Sequence, residues 1–211
     1  MSDFGVDCTH DPDGVVWVVL RNPARRNAVR LEMWERLYAL AGELAVDPSV
    51  RVVVLRGHGT DAFASGADIS EFQTHRKDAT SAAAYEATTA RTFAALLALP
   101  QPVVAMLQGF CIGGGLAIAL CADLRVAADQ TTLQLPAARL GLGYHMSGID
   151  RLLQVVGPSA AAEIFFTARR YTAAEALAIG LVNRVVDVAT LEAFTREYVG
   201  GIAANAPLAQ C

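Results

Sequence analysis

Phe63-Ala64-Ser65-Gly66-Ala67-Asp68-Ile69 and Gln108-Gly109-Phe110-Cys111-Ile112-Gly113-Gly114-Gly115 are the two stretches on which the fold turns. Each comes after an apolar run, Val52-Val53-Val54-Leu55 ending at Gly57, or Val103 to Leu107 following Pro102. Such runs suit strands covered on both faces. In an open α/β sheet, ligands bind beyond the carboxyl ends of the strands, the edge at which both stretches fall. Three consecutive glycines at a helix start leave no Cβ between a ligand and the backbone. The helix start adds unpaired N–H groups and a partial positive charge. Together these favour an oxyanion, phosphate or carboxylate. Taken alone, Gly113 to Gly115 reads equally well as a tight strand-to-helix turn chosen for packing. Neither stretch has the form G-x-x-x-x-G-K-[ST], and no G-x-G-x-x-G occurs, which disfavours a nucleotide-phosphate loop.

Outward from these turns, strand and helix alternate. Val15 to Leu20 is β-branched, holds Trp17 and lies between Asp13-Gly14 and Asn22-Pro23, so it reads as a strand. Trp34, Leu37, Tyr38, Ala41, Leu44 and Ala45 recur at helical spacing, with Glu32, Glu35, Arg36 and Glu43 on the other face. Asp47-Pro48 stops that helix. Ser81 to Leu99 reads as a long helix and Gly113 to Ala122 as an apolar one. Leu124 to Ala127 and Thr132 to Leu135 read as short strands. From Gly148 onward the pattern is mainly helical, with a strand near Val182 to Val186. No long linker or internal repeat intervenes, so the expectation is one layered α/β domain over residues 1–211 with right-handed crossovers.

Composition narrows the function. A chain that is 54% hydrophobic and 18% charged can bury a large core. The net charge is −4 and no block of five like charges occurs, which argues against nucleic acid or an anionic membrane as partner. Cys8, Cys111, Cys121 and Cys211 form no C-x-x-C pair and have no zinc-ligand spacing, so they read as free thiols in a reducing cytosol, with no metal. Met1-Ser2-Asp3-Phe4 lacks the basic-then-apolar pattern of a signal peptide. No run approaches the roughly 20 apolar residues of a membrane span. The chain reads as cytoplasmic.

The order of motifs resembles the crotonase (enoyl-CoA hydratase/isomerase) superfamily. Asn22-Pro23…Asn27-Ala28 comes first, then Val52 to Leu55, Phe63 to Asp68, and Pro102-Val103-Val104-Ala105…Gly109…Gly113-Gly114-Gly115. Ala122-Asp123-Leu124, Leu140-Gly141 and Thr172-Ala173-Ala174-Glu175-Ala176-Leu177…Gly180-Leu181-Val182-Asn183 follow. The resemblance implies a spiral of β-turn-β repeats flanked by helices, assembled as trimers or dimers of trimers. It implies an acyl-CoA thioester as substrate, coenzyme A being part of that substrate and no other cofactor being needed. Carried over by position, the backbone N–H groups of Ala67 and Gly114 would clamp the thioester oxygen. Arg25, Ser65, Ala67, Asp68, Ile69, Gly113 and Gly114 would contact coenzyme A, with Asp68 ordering its turn and taking no proton.

The sequence also departs from that family. Hydratases carry one glutamate three residues after the oxyanion glycine, where this chain has Ala117, and a second after a proline, where Pro136 is followed by Ala137. Alanine transfers no proton. Glu71 and Glu163 are the nearest acidic alternatives in sequence. Leu140-Gly141-Leu142-Gly143-Tyr144-His145 lies where the family returns a loop over the acyl group, and some members have an acidic catalytic residue at the position of His145. Methylmalonyl-CoA decarboxylases of the superfamily have a tyrosine matching Tyr144, and Glu163 to Ala168 and Ala204 to Leu208 resemble that branch too. Their oxyanion turn has histidine where this chain has Ala67. The expectation is a thioester-enolate enzyme that dispenses with the glutamate pair, decarboxylase-like or another lyase, with Tyr144 and His145 as proton carriers. An isomerase using His145 as base comes second, followed by a hydratase with displaced acid and base. A non-catalytic acyl-CoA binder is the rival. His10, His58 and His75 read as solvent-facing. The family's C-terminal helical lid segment is expected to be lacking from residues 1–211.

Overall fold

The computed structural model describes residues 3–71, 78–141 and 146–205. Tyr144, His145, His75, Cys211 and the 206–208 end of the decarboxylase-like stretch lie outside the described residues. Strands β1 (Gly5–His10) and β2 (Val15–Arg21) form an antiparallel hairpin that starts the fold. Three coils follow. The first lays down β3 (Val52–Gly57) and β4 (Ala62–Ala64), the second β5 (Val103–Leu107) and β6 (Phe110–Ile112), and the third β7 (Leu124–Ala128) and β8 (Thr132–Gln134). In each coil the first strand joins one sheet and the second strand joins another. After β9 (Arg170–Thr172) and β10 (Arg184–Val186), the sheets run β1-β2-β3-β5-β7-β10 and β4-β6-β8-β9. All pairings are parallel except β1–β2 and β8–β9. This is the spiral α/β architecture that the family resemblance implied.

The helices are α1 (Leu31–Ala45), α2 (Ala79–Leu97), α3 (Gly114–Cys121), α4 (Ala137–Leu140), α5 (Met146–Thr167), α6 (Ala173–Ala178) and α7 (Leu191–Ala203). They explain why the large-sheet strands are apolar without a break. Val16, Val18, Val53, Leu55, Val103 and Ala105 enter one core with Trp34, Leu37, Leu96, Leu116 and Leu120. Their neighbours Val15, Trp17, Val52, Val54, Val104 and Met106 enter a second core with Leu191, Val199 and Ala203 of α7. Alternate residues of a strand face opposite ways, so a sheet buried on both sides needs apolar residues at every position.

The short elements differ from the sequence reading. β4 and β6, three residues each, fall where turns were read, because strands so short carry no periodic signal. β1 was not read, and β9 interrupts a stretch read as helical. Only Arg184–Val186 of the strand expected near 182–186 pairs, since Leu181 and Val182 point into the core. The helix read over 81–99 runs from Ala79 to Leu97, and its start is set by Asp78, whose carboxylate accepts from Ser81 N at 2.8 Å. Tyr38, placed on the buried face of α1 by spacing, is 43% exposed and lies under the Arg91 guanidinium, 5.0 Å from the ring centre. α5 is two helices joined at Gly157 (φ 76°, ψ 168°), with Pro158 restarting the second. Among the described residues, no helix is long and apolar enough to cross a membrane.

Candidate active site

The first turn leaves β4 at Ala64 and is tied down on one side. Ser65 N donates to Arg26 O (3.0 Å) and Ser65 Oγ to Arg25 O (2.9 Å). Val29 N donates to Gly66 O (2.8 Å) and Asp68 N to Val29 O (3.0 Å), forming a lone parallel bridge between Val29 and Ala67. In such a bridge the residues on either side of Ala67 make the bonds, so the N–H of Ala67 itself points away from the ladder. The second turn follows β6. Gly113 N donates to Gln134 O (2.9 Å), and Gly113 takes φ 53°, ψ −115°, a conformation few residues other than glycine adopt. Helix α3 begins at Gly114. Gly115 passes so close to β4 that a Cβ on it would lie 2.3 Å from Ala64 O.

The two turns meet. A Cβ on Gly66 would lie 3.7 Å from Gly114 N, and one on Gly114 would lie 3.3 Å from Ala67 N. Among the described residues, neither the Ala67 nor the Gly114 N–H has a hydrogen-bond acceptor. Two unsatisfied donors thus sit side by side at the start of α3, where the helix dipole adds positive potential. Trp34 of α1 forms the floor, with Cζ2 3.4 Å from the same notional Gly114 Cβ. It is held by Nε1 donating to Tyr85 Oη (3.1 Å), by Thr92 Oγ1 donating to its carbonyl (3.0 Å), and by edge contact with Phe93. None of these floor residues stood out in the sequence, where Trp34 was only one of several apolar positions on a helix.

The far end of α3 is held by two arginines. Buried Arg125 donates through Nη1 to Ala122 O (2.7 Å) and through Nε to Leu181 O (2.8 Å). Arg151 donates to Leu120 O (2.8 Å) and Ala122 O (3.1 Å). Cationic groups at a helix C-terminus favour the helix.

The other residues expected to bind coenzyme A surround the first turn. Arg25 is exposed, and Ile69 is 71% exposed in the short 3-10 turn Ile69–Glu71. Asp68 is buried and accepts from Ser70 N (3.0 Å) and Ser70 Oγ (2.6 Å). Burial pushes its carboxyl up, but the Ser70 bonds and the charges of Arg25 and Arg30 outweigh that and hold it below the usual carboxylate range. Asp68 therefore orders its turn as an ionised group.

Ala117 and Ala137 are both buried, and Ala117 lines an apolar cleft between α2, α3 and α5. The cleft is narrow and partly open to solvent, with Phe93, Leu97, Leu120, Cys121 and Arg151 on its walls. The two acidic alternatives are both paired. Both carboxylate oxygens of Glu71 are engaged, by Arg30 Nε (2.9 Å) and Leu31 N (2.8 Å). Glu163 is exposed and paired with Arg169 at 3.1 Å. His10 and His58 are exposed.

The coiled two-sheet fold and the paired backbone donors at the Gly66 and Gly113–Gly115 turns define a family, and sequence comparison agrees. The family profile described as enoyl-CoA hydratase/isomerase matches residues 10–210, and the chain belongs to that family. It is similar to the short-chain-enoyl-CoA hydratase of Clostridium acetobutylicum, with 34% identity over 92% of this chain and 74% of that one. It is also similar to the crotonyl-CoA hydratase of Syntrophomonas wolfei, with 32% identity over 90% and 72% of the two chains. Among solved structures, an enoyl-CoA hydratase/carnithine racemase from Magnetospirillum magneticum superposes with a TM-score of 0.94 at 38% identity, covering all of this chain and 78% of its own. An enoyl-CoA hydratase from Bacillus anthracis gives 0.91 at 32% identity, covering 99% and 80%.

Proposed function

We propose that this protein polarises the carbonyl of an acyl-CoA thioester between the N–H groups of Ala67 and Gly114, and that it works through an enolate without a glutamate pair. The carrying observation is the two adjacent donors, which have no acceptor among the described residues, together with buried alanines at positions 117 and 137. The chemistry that fits is cleavage of a malonyl-type thioester. The bond to the carboxylate breaks, its electron pair moves into the thioester, and carbon dioxide leaves. The resulting oxyanion accepts from both N–H groups, each worth roughly 10²–10³ in rate. No base is needed, only a later proton to the α-carbon, a role this reading gives to Tyr144 and His145. Coenzyme A would run past Arg25, Ser65, Asp68, Ile69 and Gly113, and the family reading carries with it a trimer or a dimer of trimers. Hydration is the second reading, supported by the names of the relatives. A panel of malonyl-, methylmalonyl-, 2-enoyl- and 3-enoyl-CoA substrates separates them. The expected result is turnover of a malonyl-type thioester with crotonyl-CoA hydration far slower than about 1 s⁻¹. Hydration at the ordinary enzymatic ~1–10³ s⁻¹ would overturn the proposal. Tight binding with no turnover of any thioester would make the protein an acyl-CoA binder.

A further inference from the structure

We infer that Glu71 is a positioning residue for the Ala67 N–H, tying the turn that carries this donor to the first turn of α1. The inference rests on the acyl-CoA reading above. Ala67 lies in an isolated bridge, fixed by one pair of backbone bonds to Val29 and by no continuing ladder. A peptide plane held at so few points needs a further anchor to keep its N–H aimed, and Glu71 supplies it from the 3-10 turn that follows. One carboxylate oxygen accepts from Leu31 N at 2.8 Å and the other from Arg30 Nε at 2.9 Å. The residue at the N-cap of α1 is Arg30, whose side chain cannot accept a hydrogen bond, so the leading N–H of this helix takes its acceptor from a residue 40 positions away. The anchor is itself stiff. The Glu71 side chain is 9% exposed, and the Arg30 guanidinium that grips it lies over the Phe4 ring, 4.0 Å from its centre. Residues 29–31 and 66–71 are thereby stitched at Gly66, Asp68 and Glu71, and the Ala67 N–H lies inside the stitched span.

Stability alone does not distinguish a brace of this kind from an ordinary ion pair, whereas polarisation of a bound thioester does. Binding of 2,4-hexadienoyl-CoA to the full chain, followed by the long-wavelength shift of its dienoyl thioester absorption, reads the donors directly, and binding of free coenzyme A reads the rest of the site. In Glu71→Ala the shift is expected to fall by more than about half and hexadienoyl-CoA affinity by about tenfold, since misplacing a positioned group by about 1 Å costs up to ~10²-fold. Free coenzyme A affinity should stay within about twofold. Glu71→Gln keeps an acceptor for Leu31 N and should restore most of the shift. A full shift in folded Glu71→Ala overturns the inference. If Glu71→Ala does not fold, Glu71→Met keeps the buried volume with no acceptor for Leu31 N, and an unchanged shift there overturns it equally. No binding of hexadienoyl-CoA by the parent protein would instead overturn the acyl-CoA reading, and this inference with it.

Discussion

Replacing Gly114 by alanine adds one methyl group at the most sensitive point of the site. The added carbon would lie 3.3 Å from Ala67 N and 3.4 Å from Trp34 Cζ2. An oxygen accepting from the Ala67 N–H would sit about 2.7–3.2 Å from that nitrogen, so methyl and oxyanion compete for the same space. The fold should tolerate the change. Gly114 is the first residue of α3, its backbone is not in the left-handed region, and alanine gains up to ~1 kcal/mol over glycine in a helix. Two contacts of 3.3–3.4 Å offset part of that gain, so the melting temperature should move by no more than about 4 °C. Displacing the oxyanion from one or both donors should cost at least about 10²–10³ in turnover, roughly 2.7–4 kcal/mol. The assay pairs thermal melting with turnover of the active thioester and with the infrared carbonyl band of a ¹³C-labelled bound thioester. In Gly114→Ala that band should return toward its position in water. A folded Gly114→Ala protein with parental turnover and the parental band position would refute the oxyanion assignment.

Asp68 links the same turn to pH. Its carboxyl is held below the ordinary 3.8, so ionised Asp68 contributes stability above that value, and the contribution is lost as pH falls through the lower folded-state value. Urea melts should show Asp68→Asn less stable than the parent near neutral pH, with the gap closing below about pH 4; a gap that widens in acid would contradict this. Burial pushes Cys121 up to about 12 and Cys111 higher still, so neither should react with a thiol reagent at pH 8 until the protein unfolds. Peptide mapping after native labelling checks this. Sedimentation at micromolar concentration should give the mass of a trimer or a multiple of it, and a monomer would count against the assembly carried by the family reading.

The sequence made the frame of the site legible because its signals are local. Val52 to Leu55 and Val103 to Leu107 announce doubly covered strands, and three glycines in a row announce a backbone that something must approach. The motif order supplied the coil that no single period showed, since β4 and β6 are too short to carry one. What stayed hidden depends on distant pairs. That the Ala67 N–H points away from its ladder follows from bonds made by Val29, and that Glu71 caps a helix follows from Leu31, 40 residues earlier. Only the unsuitability of Arg30 as a cap hinted at the missing acceptor. Tyr38 shows the opposite failure, because spacing assigned it to the core and it lies instead under Arg91 at the surface.

In both sheets, the order of strands in space is their order along the chain. A polypeptide leaving the ribosome from its N-terminus would therefore always find the edge it needs already built, with the β1–β2 hairpin, its strands joined by a four-residue turn, as the first template. No strand has to be inserted between two that have already paired. Each later pairing waits for a long crossover, as with Val53 and Val103, which slows the folding of an isolated chain but suits growth from one end. The N–H groups of Ala67 and Gly114 have both emerged once the second coil is out. The architecture thus brings the two donor turns together before the segment that carries Tyr144 and His145 is made.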